Sequence, residues 1–315
     1  MADYLVTGVG GFIGAAVTAR LIEAGHGVVG VDNLTTGYPE NIPAGTEFFK
    51  ADCQDASLYQ RLPQRKYDAI LHIAGQSSGE ISFDDPVYDL RTNAESTLHL
   101  LKFALKTGCT RLVYASTMSV YGMQPDRPVQ EDAPCFPHSF YGVGKLASEH
   151  YLRLYEQYGI ASTALRLFNV YGPGQNMANL RQGMVSIFMA MMIADGRVQV
   201  KGSPDRYRDF VYIDDVVDAF LLCLENSEAA RAGVFNIAGS GKVTVGELLA
   251  KMAALQTGRT GEEPEIRFEG STAGDIPGIH ADLGHAAKVL GYTPKVSLDD
   301  GLARMYAWAV KAMGK

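Results

Sequence analysis

Short apolar runs alternate with stretches of helical period through the first half of the chain, which predicts a parallel sheet covered by helices. Tyr4-Leu5-Val6 reads as a first strand and residues 13–24 as a first helix. Gly27-Val28-Val29-Gly30-Val31 reads as a second strand that ends at Asp32. Ala69-Ile70-Leu71-His72-Ile73 and Arg111-Leu112-Val113-Tyr114-Ala115 are further buried strands, each followed by polar loop residues. Between them residues 92–106 form a helix with Leu98, Leu101 and Leu105 along one stripe, and residues 163–167 make another strand. From Asn169 the texture changes: Gly172-Pro173-Gly174 interrupts the pattern, and short, polar pieces follow. At Phe210-Val211-Tyr212-Ile213 a strand-then-helix unit returns and runs to Leu224. The expected fold is therefore α/β, a doubly wound parallel sheet with a smaller, discontinuous α/β lobe. The sheet lobe is assigned residues 1–168, about 211–237 and about 280–291. The second lobe takes about 169–210, 238–279 and 292–315. Ligands of such sheets sit at the carboxyl ends of the strands, where the polar loops fall.

Composition narrows the partners more than the fold. At 315 residues the chain can bury a large core, and 47% hydrophobic with 20% charged residues is the balance of a soluble globule. The net charge is −7 and no Lys/Arg cluster occurs, which argues against nucleic acid and anionic membranes. The longest apolar run, residues 187–194, is too short to span a bilayer. The sequence enters its first strand at once, leaving no room for a signal peptide, so a cytoplasmic protein is expected. Cys53, Cys109, Cys135 and Cys223 show no Cys-x-x-Cys spacing and read as free thiols in a reducing compartment. The seven histidines are dispersed, and no metal site is expected. Repeats and low-complexity segments are absent from the sequence.

Two clusters carry candidate chemistry. Thr7-Gly8-Val9-Gly10-Gly11-Phe12-Ile13-Gly14 joins the first strand to the first helix. Glycines at that point permit a tight turn and let backbone approach a pyrophosphate, which rests on the positive end of the helix. Asp32 comes 18 positions after Gly14 and ends the second strand, where its carboxylate can accept both hydroxyls of an adenosine ribose and repel a 2′-phosphate. The cofactor expected is NAD rather than NADP. Asp52 is placed either to hydrogen-bond the adenine or to serve as a plain loop residue. The second cluster is Tyr141 and Lys145, four residues apart and so on one helix face. A phenol beside a fixed ammonium loses its proton more easily. Moving it from about 10 to near neutrality takes about 3 pH units, roughly 4 kcal/mol of differential stabilisation. Lys145 and a cationic nicotinamide ring are expected to supply that.

The residues resemble the extended short-chain dehydrogenase/reductases, within the NAD-dependent epimerase/dehydratase group that acts on nucleotide sugars. The resemblance rests on Thr7-Gly-x-x-Gly-x-x-Gly14, Asp32-Asn33, His72-Ile-Ala74, Asn93, Tyr114-Ala-Ser-Thr-Met-Ser-Val-Tyr-Gly122 and Tyr141-x-x-x-Lys145. It continues through Arg166-Leu-Phe-Asn-Val-Tyr-Gly-Pro-Gly174 and Arg208-Asp-Phe-Val-Tyr-Ile-Asp-Asp215, nearly the whole length. It implies a Rossmann-type first lobe with bound NAD and a second lobe for a nucleotide-diphospho-sugar. Tyr141 then resembles the catalytic base and acid, Lys145 the residue that holds the nicotinamide ribose, and Thr117 the Ser/Thr that hydrogen-bonds the reacting hydroxyl. Implied cofactor contacts are Gly8, Gly11, Phe12, Ile13, Gly14, Asp32, Asn33, Asp52, Cys53, Ala74, Gly75, Asn93, Ser116 and Phe168. Implied substrate contacts are Gln76, Thr117, Asn169, Asn179, Leu180, Arg208, Asp275 and Ile279. Asn169 and Arg208 would hold the diphosphate, a guanidinium fork suiting phosphate oxygens; as plain structural residues they would be a turn asparagine and an ion pair with Asp209. Ile279 falls where the sugar's C2 substituent is gated, and Thr272 stands where a second phosphate-binding arginine is often found. The resemblance also implies a homodimer through the helices at 92–106 and 144–158.

Family members diverge in the loop after the fourth strand. Dehydratases resemble Thr-Asp-Glu-Val-Tyr-Gly there, and sugar-acid decarboxylases carry a glutamate. This chain has Thr117-Met118-Ser119-Val120-Tyr121-Gly122, and neither methionine nor serine serves as a general acid near neutral pH. The expectation is C4 epimerisation of a UDP-hexose (glucose/galactose, N-acetylated or uronic acid) through a 4-keto sugar, in galactose use or polysaccharide assembly. The alternatives are another sugar-modifying reaction of the group, such as dehydration, decarboxylation, reduction or C2 epimerisation, or a catalytically silent nucleotide-binding protein.

Overall fold

Strand β1 (Asp3–Thr7) is buried from Tyr4 onward, and the glycine turn carries the chain into helix α1 (Phe12–Glu23). β2 (Gly27–Asp32), β3 (Glu47–Lys50), α2 (Leu58–Arg61) and β4 (Ala69–His72) follow. Next come α3 (Pro86–Leu90), a π-helical turn (Arg91–Glu95), α4 (Ser96–Thr107), β5 (Arg111–Thr117), α5 (Phe140–Tyr155) and β6 (Ala161–Leu167). The computed structural model describes residues 1–231, 233–270 and 276–315.

The chain then leaves the sheet through β7 (Asn169–Tyr171), α6 (Met184–Asp195), β8 (Arg197–Lys201), β9 (Tyr207–Arg208) and β10 (Phe210–Tyr212). It returns along α7 (Ile213–Glu225) into β11 (Val234–Ile237). β12 (Val243–Thr244), α8 (Val245–Thr260), β13 (Glu265–Glu269), α9 (Gly284–Leu290) and α10 (Leu298–Ala312) complete it. One parallel sheet of seven strands runs β11-β6-β5-β4-β1-β2-β3. The order reverses between β1 and β4, the switch point at which a ligand crevice opens.

Alternate residues of each strand feed opposite faces of the sheet. Val6, Val28, Leu71, Val113 and Leu165 pack with α1 and α7, and this core continues into the second lobe through Met189, Leu249 and Met305. Leu5, Val29, Ile70, Leu112 and Ala164 pack with Leu100, Leu101 and Phe103 of α4 on the other face. Burial on both faces explains why these strands read as unbroken apolar runs rather than alternating ones. The predicted helix at 92–106 differs in detail: it opens in the π turn, and Leu105 is 42% exposed while Leu100 and Phe103 are buried. Among the described residues no helix is long and apolar enough to cross a membrane. The four cysteines are free, Cys135 half-buried and the others buried.

Candidate active site

The glycine turn sits at the switch point. Gly8 lies at φ 84°, in the left-handed region, and its N–H donates to Val31 O at 2.7 Å. A Cβ on Gly14 would collide with Gly8 O, so glycine there lets α1 press against the turn. Gly11 caps α1 without a side-chain bond, leaving the helix's first amides to the cleft. Asp32 is buried at the end of β2, where Oδ2 accepts Gly10 N–H (2.9 Å) and Oδ1 accepts Leu34 N–H (2.7 Å). Leu34 is held at φ 60°, the positive-φ residue besides glycine among the described residues. Asn33 donates through Nδ2 to Asp52 Oδ2 at 2.8 Å, joining the loops after β2 and β3.

These elements enclose a cleft of about 300 Å³. Its walls include Gly8, Gly11, Phe12, Ile13, Gly14, Asp32, Asn33, Asp52, Cys53, Ala74, Gly75 and Gln76 from the first lobe. Gly174, Gln175, Asn176, Asn179 and Gln182 close it from the second. A dinucleotide fits these residues. The glycine floor admits a pyrophosphate against an uncapped helix, and Asp32 keeps lone pairs for two neighbouring hydroxyls. Further in, Asn93 Oδ1 is buried without a hydrogen-bond partner, facing Gly75, so it can accept from a bound amide.

The cleft leads to the second cluster. Ser139 caps α5 by accepting Gly142 N–H at 3.1 Å, which sets Tyr141 and Lys145 on the face turned inward; both are buried. Lys145 Nζ donates to Ala115 O at 2.9 Å, and a Cβ on Gly75 would lie 3.2 Å from it. Thr117, buried at the end of β5, hydrogen-bonds Tyr141. Burial opposes the ionisation that the sequence reading asks of this pair. Burial pushes the Tyr141 phenol up to about 12, outweighing the Thr117 hydrogen bond, with a smaller upward push from Asp89. Burial likewise lowers Lys145 to about 8 against the pull of Asp89 and Glu149. Lys145 sits 5.9 Å from the Tyr141 ring centre and 4.7 Å from that of Tyr114. Its charge alone does not offset the desolvation of the phenol.

The remaining candidates divide. Ser116 alternates with Thr117 on β5, and its hydroxyl donates to Glu149 instead of reaching the cleft. Glu149 in turn takes Arg166 in a two-point pair, Nε to Oε1 at 3.0 Å and NH2 to Oε2 at 2.7 Å, both residues buried. Asn169 Nδ2 donates to Asp209 O (3.0 Å) and lies 3.6 Å from Met118 Sδ, so β7 abuts the catalytic loop. Arg208 is buried, with NH1 donating to Tyr207 O at 2.8 Å. No ion pair between Arg208 and Asp209 is needed to explain Asp209, whose Oδ1 accepts the amides of Gly239, Ser240 and Gly241 at 3.0 Å each. Gln76 Nε2 donates to Asp89 Oδ2 at 2.7 Å. Asn179 lines the dinucleotide cleft itself, and Leu180 beside it is half exposed.

Ile279 lies away from the dinucleotide cleft, 2% exposed and packed with Val120, Tyr121, Val129, Phe168 and Ala238. The backbone bond from Val129 N–H to His280 O (2.9 Å) fixes it there. The Phe168 side chain belongs to the same apolar cluster. Thr272 and Asp275 lie outside the described residues. Asp89 and Glu149, buried carboxylates that brace the site, were missed from sequence. Asp209 follows a motif arginine and was legible only as that arginine's partner.

Residues 4–238 match the model of the NAD dependent epimerase/dehydratase family. The chain is 36% identical over 307 residues to a UDP-glucose 4-epimerase of Mycolicibacterium smegmatis, covering 95% of this chain and 96% of that one. A UDP-glucose 4-epimerase of Thermotoga maritima, solved with UDP-glucose, superposes with a TM-score of 0.92 at 35% identity and 99% coverage of both chains. A UDP-glucuronic acid 4-epimerase of Bacillus cereus, solved with UDP-glucuronic acid and NAD, gives 0.88 at 28% identity, again with 99% of each chain covered.

Proposed function

Because this chain belongs to the NAD dependent epimerase/dehydratase family, we propose that it is an NAD-dependent 4-epimerase of a UDP-hexose, with UDP-glucose and UDP-galactose as the leading pair. The observation that carries the reading is the placement of three buried groups, Tyr141, Lys145 and Thr117. They meet the glycine-floored cleft beside a loop, residues 118–122, that contains no carboxylate.

Bound NAD supplies the acceptor, and then the donor, of one hydride. Tyr141 takes the proton of the C4 hydroxyl as that carbon is oxidised, while Thr117 holds the same oxygen by a hydrogen bond. Burial keeps the Tyr141 phenol protonated at neutral pH until further positive charge stands beside it, which ties proton transfer to a loaded site. The 4-keto sugar turns over while Arg208 and Asn169 hold its diphosphate, with Gln76, Asn179 and Leu180 along the path between the lobes. C4 is then reduced from its opposite face as Tyr141 returns its proton to the same C4 oxygen, so protons and electrons balance over the cycle. Elimination of water would need an acid in the loop after β5, where Met118 and Ser119 stand.

We further assign the protein to the cytoplasm and to a homodimer. Supporting the dimer, Leu105, Leu154 and Tyr158 of the helices expected to pair are all at least 42% exposed. A solution mass equal to one chain would end that assignment.

The test is incubation with UDP-, CDP-, GDP- and dTDP-sugars and NMR of the products. UDP-glucose and UDP-galactose should interconvert with no net change in nicotinamide absorbance. Tyr141→Phe should lower kcat by ~10²-fold or more while NAD still binds. A steady absorbance change would mark a net dehydrogenase instead, and binding without turnover a silent protein.

A further inference from the structure

Asp89 has no part in the chemistry above, yet it is 1% exposed and stands behind all of it. It lies on α3, which Asp85 caps and Pro86 opens; the π turn that follows carries Asn93 back onto it. Asp89 Oδ2 accepts from Gln76 Nε2 at 2.7 Å and from Asn93 Nδ2 at 3.2 Å. Asn93 Nδ2 also donates to Gln76 O at 3.0 Å, so the amide cannot flip and its oxygen is fixed toward Gly75 and the cleft. Asp89 Oδ1 is buried with no hydrogen-bond partner. Gly144 of α5 lets it stay close: a Cβ there would lie 3.5 Å from Oδ1 and 3.2 Å from Asn93 Cβ. A buried carboxylate with one oxygen unsatisfied is costly unless a positive charge faces it.

We propose that Asp89 is the positioning residue of this site: its carboxylate orients the Gln76 and Asn93 amides and supplies the counter-charge that keeps the Lys145 ammonium cationic beside Tyr141. The proposal rests on the epimerase reading and goes beyond it by adding a charged group that touches no reacting atom. Lys145 and Tyr141 of α5 feel the Asp89 charge, and the Gln76 and Asn93 hydrogen bonds and the Lys145 charge in turn work against the burial that raises Asp89 itself. Lys145 also feels the charge of Glu149 of α5, acts in turn on His72 of β4 and lies 4.7 Å from the ring centre of Tyr114 of β5, while Thr117 of β5 works on Tyr141. Asp89 is the leading charge that raises Lys145, and it raises Tyr141 as well. A negative charge raises the pKa of acid and base neighbours alike. Neutralising it must therefore move both limbs of the pH–rate profile the same way, toward lower pH.

The experiment compares Asp89→Asn and Asp89→Ser with Asp89→Glu. Epimerase pH–rate profiles are recorded beside a tyrosinate absorbance titration of the NAD-loaded protein, with the Tyr141→Phe spectrum subtracted. The expected result is a shift of both limbs by about one pH unit in the neutral variants, the same shift in the titration, and restoration in Asp89→Glu. A profile scaled down without moving would overturn the proposal, as would failure of both neutral variants to fold, since either leaves Asp89 a structural residue. The titration needs no turnover, so it separates this failure from a failure of the epimerase assignment.

Discussion

Asp32 illustrates how one side chain shapes a site before any ligand arrives. Its two oxygens take the amides of Gly10 and Leu34, so the carboxylate both bends the loop after β2 and ties it to the glycine turn. Hydrogen bonds to a charged group contribute about 1.5–3 kcal/mol each. Asp32→Ala removes both and the contacts to the adenosine ribose. NAD affinity should fall at least ~30-fold, measured by isothermal titration, with Tyr141 chemistry recovered at saturating NAD. A change below threefold would show that Asp32 shapes neither loop nor ligand. This residue was legible in the sequence because it ends an apolar strand at a fixed distance from a glycine turn. Asp89 was not, because what makes it matter is the burial that α5 imposes, and spacing along the chain carries no information about that. The Tyr141–Lys145 pair was legible as neighbours, but the burial that opposes ionisation of the phenol was not. Spacing sets the distance between two heads, whereas the dielectric around them comes from residues far away in sequence.

At the scale of elements, α5 does two things with one face. Tyr141, Lys145 and Glu149 recur at four-residue steps, and all are buried. The first two serve the cleft, and the third anchors the helix to β6 through Arg166 and to β5 through Ser116. Burial works against the Arg166 charge, but the hydrogen bond and charge of Glu149 outweigh it and hold the guanidinium above its ordinary value. Removing one partner of such a pair leaves the other charge stranded, at a cost of about 3–5 kcal/mol. Glu149→Gln should lose stability in that range by urea unfolding. Because Ser116 and Lys145 also lose a neighbour, kcat should fall while NAD affinity holds. A loss under ~1 kcal/mol would mean that water reaches the pair. A helix here followed from sequence, but it begins at Phe140 rather than 144, and its cap at Ser139 was not read. The π turn before α4 did not follow either, because it depends on Asp89 and Asn93 meeting across it.

At the scale of the whole molecule, the loop after β7 meets the loop after β4 over the cleft through a few polar contacts. Arg181, in the loop that follows β7, reaches Asp84 at 2.7 Å and Glu80 at 3.6 Å in the first lobe. Its carbonyl accepts Ser78 Oγ–H at 3.1 Å, and Gln182 reaches Ser77. The apolar pattern placed the chain's return at residues 210–213, but β10 pairs with β7 outside the seven-stranded sheet, which the chain rejoins only at β11. This bridge could not be read ahead, because it joins polar residues about a hundred positions apart by a fold-dependent meeting. Arg181 is 46% exposed and Asp84 56%, so the pair adds little to global stability. Its leverage lies elsewhere: Asn176, Asn179 and Gln182 of the same loop line the dinucleotide cleft, so the loop's opening bears on ligand exchange. A contact that is small against the free energy of folding is large against the local opening of one loop. Arg181→Ala should therefore leave the melting temperature within about 2 °C of the parent while speeding NAD exchange several-fold, followed by displacement with a fluorescent analogue. The two readouts separate latch from scaffold. Unchanged exchange with a lowered melting point would make Arg181 a stability residue and the loop an ordinary surface turn.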